Sequence, residues 1–293
     1  MKTCLIQLDI AWGDPQANCA HLDELLALAP EADLYVLPEM FTTGFATLPD
    51  AVVEHEPSAG LRWMQRKAAE LRAAIAGSIA LALPEDCLER SEDRISGPAA
   101  PGTFAPQKSE RGLRPQGDRG ICPRQKCVNR FYFVRPDGSY EQYDKRHLFG
   151  YGGEGERFAG GSERVVVKYL GVRFLLAVCY DLRFPVWLRN RDDYDAILLV
   201  ASWPDVRRYA WDTLARARAI ENACYVVAVN RVGTDPACSY NGGTALIDPY
   251  GGEISVAADG QEGFACGDID LAHLVSYHRK FPVLEDADRF ELL

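Results

Sequence analysis

The chain has 293 residues, 47% of them apolar and 25% charged, and its 32 basic and 42 acidic residues give a formal net charge of −10. This composition is ordinary for a globular protein and excludes collagen-like, coiled-coil and wholly disordered chains. The acidic balance argues against a protein devoted to nucleic acid or to an anionic membrane surface.

Apolar periodicity predicts strands and helices that alternate along the chain. In chain order it predicts strand 5–10, helix 17–28, strand 34–37, helix 61–74, strand 75–83, strands 131–134 and 140–143, strands 165–167 and 172–178, strand 196–200, helix 206–222, strand 225–229 and a last pair of strands around 248–251. Strand–helix–strand units mixed with hairpins indicate an α/β fold, with mixed sheets in a layered sandwich.

The stretch 84–127 interrupts this pattern, since prolines, glycines and charges replace the apolar periodicity. Such a stretch cannot bury enough apolar surface to offset the entropy of ordering it. We therefore predict a disordered insertion within one domain that spans 1–293. Its second half is basic, so contact with an acidic partner or nucleic acid is the alternative to a solvated loop. Cys122 and Cys127 lack a second ligand pair at zinc spacing, so we expect no metal there.

The cysteine usage and the apolar runs indicate the compartment. The nine cysteines are odd in number and scattered, which is typical of cytoplasmic thiols and not of a disulfide framework. The longest apolar runs, such as 74–83, are far shorter than the roughly 20 residues that span a bilayer. The first residues alternate like a strand and lack a signal-peptide cleavage site. We expect a cytoplasmic protein without a membrane segment.

Three polar side chains lie at the ends of predicted strands: Glu39 and Cys179 follow apolar strands, and Lys145 closes the hairpin strand 140–143. Ligand sites in α/β sheets collect beyond the carboxyl ends of strands, so an acid, an ammonium and a thiol in these places suggest one site. Each residue alone has an ordinary explanation. Cys179 could be a small buried hydrophobe, Glu39 could bind a loop amide, and Lys145 could be a surface charge.

Together with their neighbours, these residues resemble the nitrilase superfamily of carbon–nitrogen hydrolases. The matching stretches are 37–41, 143–149, 178–187, 201–204, 217–222 and 229–233. The resemblance extends to about Ile254, omits only 84–127, and is greatest for bacterial omega-amidases and Nit2-type amidases. It implies an α-β-β-α sandwich with mixed sheets, a homodimer formed by stacking of such sandwiches, and no cofactor or metal.

The resemblance also implies roles for the site residues. Cys179 would attack an amide carbonyl, and Glu39 would serve as the general base. Lys145 and the backbone N–H of Tyr180 would hold the oxyanion. Glu154, counted back from the glycine that opens the next strand, would orient Lys145 or the substrate, with Glu156 as the alternative.

The implied substrates are short dicarboxylic acid monoamides such as 2-oxoglutaramate and 2-oxosuccinamate. A guanidinium binds a carboxylate bidentately, so Arg183 is the candidate for the free carboxylate, unless it pairs with Asp181 or caps a helix. Trp203 and Phe149 are candidates for the pocket walls, although aromatic side chains at such places are as often core.

Two other functions stay open from the sequence. The chain could act on a nitrile or an N-carbamoyl group, or it could be a non-catalytic binding protein on the same fold. The apolar tail 272–293 could pack across a dimer interface or on its own subunit.

Overall fold

The computed structural model describes residues 1–48, 51–84 and 127–291. The strands are β1 Lys2–Gln7, β2 Leu34–Val36, β3 Ala74–Ala82, β4 Cys127–Val134, β5 Tyr140–Asp144, β6 Val166–Tyr169, β7 Val172–Val178, β8 Ala196–Val200, β9 Tyr225–Val229, β10 Val232–Thr234, β11 Ser239–Asn241, β12 Ala245–Ile247, β13 Glu253–Val256 and β14 Gly263–Asp268. The α-helices are α1 Pro15–Leu28, α2 Ala59–Leu71, α3 Glu154–Arg157, α4 Pro185–Leu188, α5 Arg208–Glu221 and α6 Leu271–Lys280. Short 3₁₀ helices cover Gly150–Gly152, Cys179–Arg183 and Asp205–Arg207.

The strands form two six-stranded mixed sheets and one two-stranded ribbon, β10–β11. The first sheet has the order β14-β1-β2-β3-β4-β5, in which β1, β2 and β3 are parallel and the other pairings are antiparallel. The second has the order β13-β12-β9-β8-β7-β6, in which β7, β8 and β9 are parallel. The carboxyl ends of both parallel sets carry the loops described below.

The two sheets pack face to face, and helices cover their outer faces. One apolar cluster takes side chains from both sheets, such as Phe131 of β4 and Leu176 of β7. A second cluster joins the outer face of the first sheet to α1 and α2 through residues such as Leu26 and Met64. Side-chain caps begin both helices, because Asp14 accepts a hydrogen bond from Ala17 N and Ser58 from Leu61 N. These layers confirm the predicted α-β-β-α sandwich, and the shared core supports our proposal of a single domain.

Most predicted elements exist, with different ends. Strands 172–178, 196–200 and 225–229 have the predicted bounds, whereas the predicted strand 5–10 is β1 and spans residues 2–7. The predicted helix 206–222 begins as a 3₁₀ turn and becomes α-helical only at Arg208. Of the predicted insertion 84–127, residues 85–126 lie outside the described residues. Its last residue, Cys127, opens β4 and pairs with Ala82.

Strands β10, β11 and β14 and helices α3, α4 and α6 were not predicted from the sequence. Strand β14 closes the first sheet by pairing antiparallel with β1, and Cys4 stands opposite Cys266 in that register. In the tail, α6 packs on its own chain through Leu274 and Tyr277, which belong to the core between the sheets. No helix in the described part of the chain is long and apolar enough to cross a membrane.

Candidate active site

Three loops from two sheets converge at one place. Glu39 lies in the loop after β2, Lys145 directly follows β5, and Cys179 directly follows β7. The loop after β2 is anchored on β3, where Phe41 N donates to the carbonyl of Ser78 at 3.1 Å. Glu39 and Lys145 are fully buried, and Cys179 is 7% exposed. The structure thus brings together the three side chains that the sequence predicts to share a site.

Lys145 lies between two buried carboxylates. Its Nζ is 2.9 Å from Glu39 Oε1, and it is 3.0 and 2.9 Å from Oε1 and Oε2 of Glu154. Glu154, at the start of α3, is fully buried, whereas Glu156 is exposed. Of the two acids that the sequence left open, Glu154 is therefore the one that reaches Lys145.

Other donors hold the two carboxylates, and the sequence analysis missed these contacts. Ser202 N donates to Glu39 Oε2 at 2.7 Å, and Phe149 N donates to Glu154 Oε2 at 2.6 Å. The side chain of Asn129 donates through Nδ2 to Glu39 Oε1 at 2.7 Å and to Glu154 Oε1 at 3.3 Å. Backbone donors leave no trace in residue type. The one available signal was Asn129 itself, a carboxamide in the mostly apolar strand β4.

Burial controls the ionisation of the cluster. It raises the pKa of the Cys179 thiol well above its ordinary value, and the charge of Glu39 raises that pKa further. Burial alone would lower the pKa of Lys145, but Glu154 and Glu39 outweigh it, so the pKa is raised. Burial also raises the pKa of Glu154, with Lys145 opposing it. Because both pKa values are raised, Lys145 is an ammonium and Cys179 a protonated thiol at neutral pH. A base beside a thiol is the arrangement that generates a nucleophilic thiolate.

The turn after β7 is held by Asp181, which is fully buried. Its Oδ2 accepts hydrogen bonds from Val178 N at 3.0 Å and from the Tyr143 hydroxyl at 2.8 Å. Its Oδ1 accepts one from His147 N at 3.0 Å and lies 2.8 Å from His147 Nδ1. These contacts occupy the carboxylate, so Asp181 is not the partner of Arg183.

Two residues of the site have a left-handed backbone. Met40, directly after Glu39, has a φ of 46°, and Cys179 itself has a φ of 45°. A non-glycine residue held in this region costs about 1–3 kcal/mol and persists only where the surrounding structure enforces it. In both places the unusual backbone lies in the turn that directs a reactive side chain into the cluster.

A cavity of about 150 Å³ opens beside Cys179. Its walls include the four side chains predicted to bind substrate, which are Phe149, Tyr180, Arg183 and Trp203. The Arg183 guanidinium lies 4.9 Å from the centre of the Trp203 ring. The predicted binding residues therefore surround the thiol.

A second arginine, Arg207, lines the same cavity and was missed from the sequence. Its guanidinium lies 5.1 Å from the centre of the Phe149 ring, whereas the next residue, Arg208, pairs with Asp212. Within residues 1–48, 51–84 and 127–291, neither Arg183 nor Arg207 forms an ion pair with a carboxylate. Both guanidiniums can therefore receive an anionic ligand group.

The described residues that line the cavity include one acid, Asp235. Its Oδ1 accepts hydrogen bonds from Ala237 N at 2.8 Å and Cys238 N at 2.7 Å, and its Oδ2 accepts one from the Tyr240 hydroxyl at 2.6 Å. The cavity therefore presents positive charge to a ligand. Among the described residues, no group of three or more His, Cys, Asp or Glu side chains could hold a metal ion.

Comparison with known proteins gives similarities in sequence. The model of a family described as carbon-nitrogen hydrolase matches residues 117–279. Omega-amidase YafV of Yersinia enterocolitica is 38% identical over 100% of this chain and 99% of its own length. The protein of that name from Escherichia coli K12 is 39% identical over 100% and 98%. A 2-oxoglutaramate amidase of Bacillus subtilis is 29% identical over 97% and 96%.

Solved structures are similar as well. XC1258 from Xanthomonas campestris is described as a CN-hydrolase superfamily protein with an arsenic adduct in the active site. It has a TM-score of 0.81 and 37% identity, covering 100% of this chain and 98% of its own. Nit3 of Saccharomyces cerevisiae, a member of the nitrilase superfamily, has a TM-score of 0.73 at 21% identity, covering 96% and 94%. The second similarity concerns the fold alone.

Proposed function

This chain belongs to the carbon–nitrogen hydrolase family and acts on amides, and we propose that its substrates are short dicarboxylic acid monoamides such as 2-oxoglutaramate and 2-oxosuccinamate. The products would be the dicarboxylic acid and ammonia. The observation that carries the proposal is a thiol beside a buried base, at a cavity whose two guanidiniums form no ion pair with the carboxylates of the described residues. The names of the relatives, omega-amidase and 2-oxoglutaramate amidase, support the same substrate class.

The first half of the reaction forms a thioester. Glu39 takes the proton of the Cys179 thiol, and Sγ bonds to the amide carbonyl carbon. The carbonyl oxygen gains negative charge and receives hydrogen bonds from Lys145 Nζ and Tyr180 N. Protonated Glu39 holds Lys145 less strongly, which makes an ammonium hydrogen available at that moment. The C–N bond then breaks, and Glu39 returns its proton to the leaving ammonia.

The second half of the reaction hydrolyses the thioester. A water molecule takes the place of ammonia, and Glu39 accepts one of its protons as the water oxygen bonds to the thioester carbon. Lys145 and Tyr180 N again stabilise the oxyanion. The C–S bond breaks, and the proton on Glu39 returns to the Cys179 sulfur as the carboxylic acid leaves.

The arginines give the preference for an acidic substrate. A carboxylate at the far end of the substrate can pair with Arg183 or Arg207, since no carboxylate in the described part of the chain forms an ion pair with either of them. The oxygens of Asp235 are already hydrogen-bonded to its own loop, so this acid of the described cavity lining is not available to a substrate ammonium. This charge distribution favours a 2-oxo acid amide over an amino acid amide.

Ammonia release tests the proposal directly. We expect turnover of 2-oxoglutaramate, much slower release from an aliphatic nitrile or an N-carbamoyl amino acid, and none from the Cys179→Ala variant. Acid quench during turnover should leave an acyl adduct on Cys179 in the intact mass spectrum. Faster release from the nitrile or the N-carbamoyl compound would instead assign the chain to another activity of the same family.

We further propose that the chain forms a homodimer. Val206, in the 3₁₀ turn before α5, and Tyr209, in the first turn of α5, are 81% and 86% exposed, and apolar side chains exposed close together in the chain are candidates for an interaction surface. Light scattering should give the mass of two chains, and Tyr209→Glu should give the mass of one. A single-chain mass for the unaltered protein would refute the dimer.

We also propose that the protein acts in the cytoplasm. None of the described cysteines forms a disulfide, including Cys4 and Cys266, whose sulfur atoms are only 3.1 Å apart on paired strands. Such a pair stays reduced in the cytoplasm and oxidises readily outside it. Thiol titration of protein isolated from its native cells under blocking conditions should count all nine cysteines as free. A disulfide in that sample would contradict the assignment.

A further inference from the structure

Asn129 contacts both loops of the first sheet that supply the cluster, the loop after β2 and the loop after β5. It lies on β4 opposite Ala80 of β3, and its backbone carbonyl accepts a hydrogen bond from Lys145 N at 3.0 Å. Its side chain is fully buried and reaches both carboxylates of the cluster. Asn129 therefore contacts Lys145 through the main chain, and Glu39 and Glu154 through the side chain.

The contacts form a closed set of two acceptors and two donors. Glu39 Oε1 and Glu154 Oε1 each accept from Asn129 Nδ2, at 2.7 and 3.3 Å, and from Lys145 Nζ, at 2.9 and 3.0 Å. Two carboxylates that share donors in this way lie close together, so ionising both is unfavourable unless the donors compensate. Lys145 supplies a charge, whereas Asn129 supplies two N–H groups that add no charge and cannot titrate.

The carboxamide oxygen of Asn129, Oδ1, is buried and accepts no hydrogen bond from the described residues. A buried asparagine in a structural role behaves differently. In Asn190, Nδ2 donates to the Tyr194 and Asn222 carbonyls at 3.1 and 3.0 Å, and Oδ1 accepts from Asp193 N at 3.3 Å. An unpaired buried acceptor is unfavourable, so the orientation of Asn129 is dictated by the carboxylates and not by its own needs.

We infer that Asn129 is a positioning residue, which holds Glu39 and Glu154 side by side so that Glu39 is available as a base next to Cys179. This inference rests on the proposed function for the identity of the base. The titratable groups that face one another here are Glu39, Glu154, Lys145 and Cys179. Loss of the N–H donors leaves Lys145 as the side-chain donor, among the described residues, that both carboxylates share, so the pair of carboxylates binds a proton more readily.

The test uses Asn129→Leu, which keeps the size and removes both donors, and Asn129→Asp, which replaces them by a third acid. A donor to a carboxylate lowers the pKa of that carboxylate, so its removal moves the acid limb of activity to higher pH. For Asn129→Leu we expect kcat with 2-oxoglutaramate to fall about 100-fold, KM to change less than about threefold, and the acid limb to rise by about one pH unit. Asn129→Asp should move the limb further.

A second readout does not depend on the substrate. The rate at which iodoacetamide alkylates Cys179, followed by peptide mass spectrometry, should show the same shift of its acid limb in both variants. Asn190→Leu is the matched control, since it lowers the melting temperature and should leave both pH profiles unchanged. Should both Asn129 variants have the unaltered protein's pH profiles, with only a lower melting temperature, the residue is structural and the inference is overturned. A shifted alkylation profile without any turnover of 2-oxoglutaramate would retain the inference and reject the proposed substrate.

Discussion

The two large sheets have the same architecture and contribute different chemistry. Each has three parallel strands, one antiparallel strand beside the first of them, and an antiparallel pair beside the third. In this scheme β1, β2 and β3 correspond to β7, β8 and β9. Helices join consecutive parallel strands in both sheets.

The difference lies in the residues that follow equivalent strands. The loop after β2 carries Glu39, whereas the loop after the equivalent strand β8 carries Ser202, whose backbone N–H binds that same carboxylate at 2.7 Å. The first sheet supplies acids, an ammonium and Asn129, while the second supplies the thiol of Cys179 and both arginines of the cavity. One sheet therefore handles protons, and the other provides the nucleophile and substrate binding. A repeated architecture fixes where side chains can meet, and the loops decide what they do.

We expect the largest effect from removal of Glu39, the base that the first sheet supplies. Glu39→Gln keeps the shape and cannot accept the thiol proton, so we expect kcat to fall about 10³-fold at unchanged KM. Steady-state ammonia release measures both constants. Glu54→Gln is the control. Glu54 is also a buried carboxylate, but it lies outside the cluster, where it accepts a hydrogen bond from Ser58 Oγ at 2.7 Å. Activity of Glu39→Gln within tenfold of the unaltered protein would move proton transfer elsewhere.

The arginines should affect binding more than chemistry. Loss of a charge-assisted hydrogen bond weakens binding, so we expect Arg183→Met or Arg207→Met to raise KM about 10- to 100-fold with a smaller change in kcat. Initial rates over a range of 2-oxoglutaramate concentrations separate the two constants. Arg216→Met is the matched control, since Arg216 lies on α5 and pairs with Glu253 outside the cavity. A fall in kcat alone would place the substrate carboxylate elsewhere.

Each sheet contains a buried thiol, so the melting temperature at alkaline pH allows the two sheets to be compared. Burial raises the pKa of Cys4 on β1 and of Cys224 before β9, whereas an unfolded thiol ionises at about pH 9. The unfolded state therefore loses these protons first, so stability is full below pH 9 and falls as the pH rises above it. Calorimetry from pH 7 to 10.5 should show a melting temperature lower by several degrees at the alkaline end.

Single variants divide that alkaline effect between the sheets. Cys4→Ala and Cys224→Ala should each flatten the pH dependence of the melting temperature. A slope unchanged in both variants would assign the alkaline loss to buried tyrosines such as Tyr143, whose pKa is also raised by burial.

The smallest effect is expected at the second thiol of the cavity. Cys238 lines the cavity beside Asp235 but does not belong to any of the three loops that form the cluster. Cys238→Ala should change kcat and KM less than about threefold, and iodoacetamide should inactivate this variant as fast as the unaltered protein. Protection from inactivation would show that Cys238 is the reactive thiol.

Sequence predicted what depends on local pattern. The apolar runs before Glu39 and Cys179 and the hairpin strand before Lys145 are visible in the letters. Strands β8 and β9 are fully buried, and β7 is buried except at Arg173, so nearly continuous apolar runs gave the predicted bounds. Strand β14 was missed, since glycines interrupt its pattern and its partner β1 lies at the far end of the sequence.

The remaining parts of the site depend on three-dimensional geometry. Arg207 and Arg208 are neighbours in the chain, and only the turn at the start of α5 sends the first into the cavity and the second to Asp212. The backbone donor at Ser202 could belong to any residue type. Residue identity does not predict such features, because they depend on the direction in which the folded backbone points a side chain or an N–H group.

The left-handed turns at Met40 and Cys179 have a consequence for engineering. Glycine adopts such a φ without strain, so Cys179→Gly relaxes the backbone while it removes the thiol. Relief of the strain favours the folded state, whereas loss of the buried side chain and the freedom of glycine in the unfolded chain oppose it. Because these effects offset one another, melting temperature alone does not report the loss of the nucleophile at this position. Residues 40 and 179 should therefore be held fixed while the rest of the chain is improved.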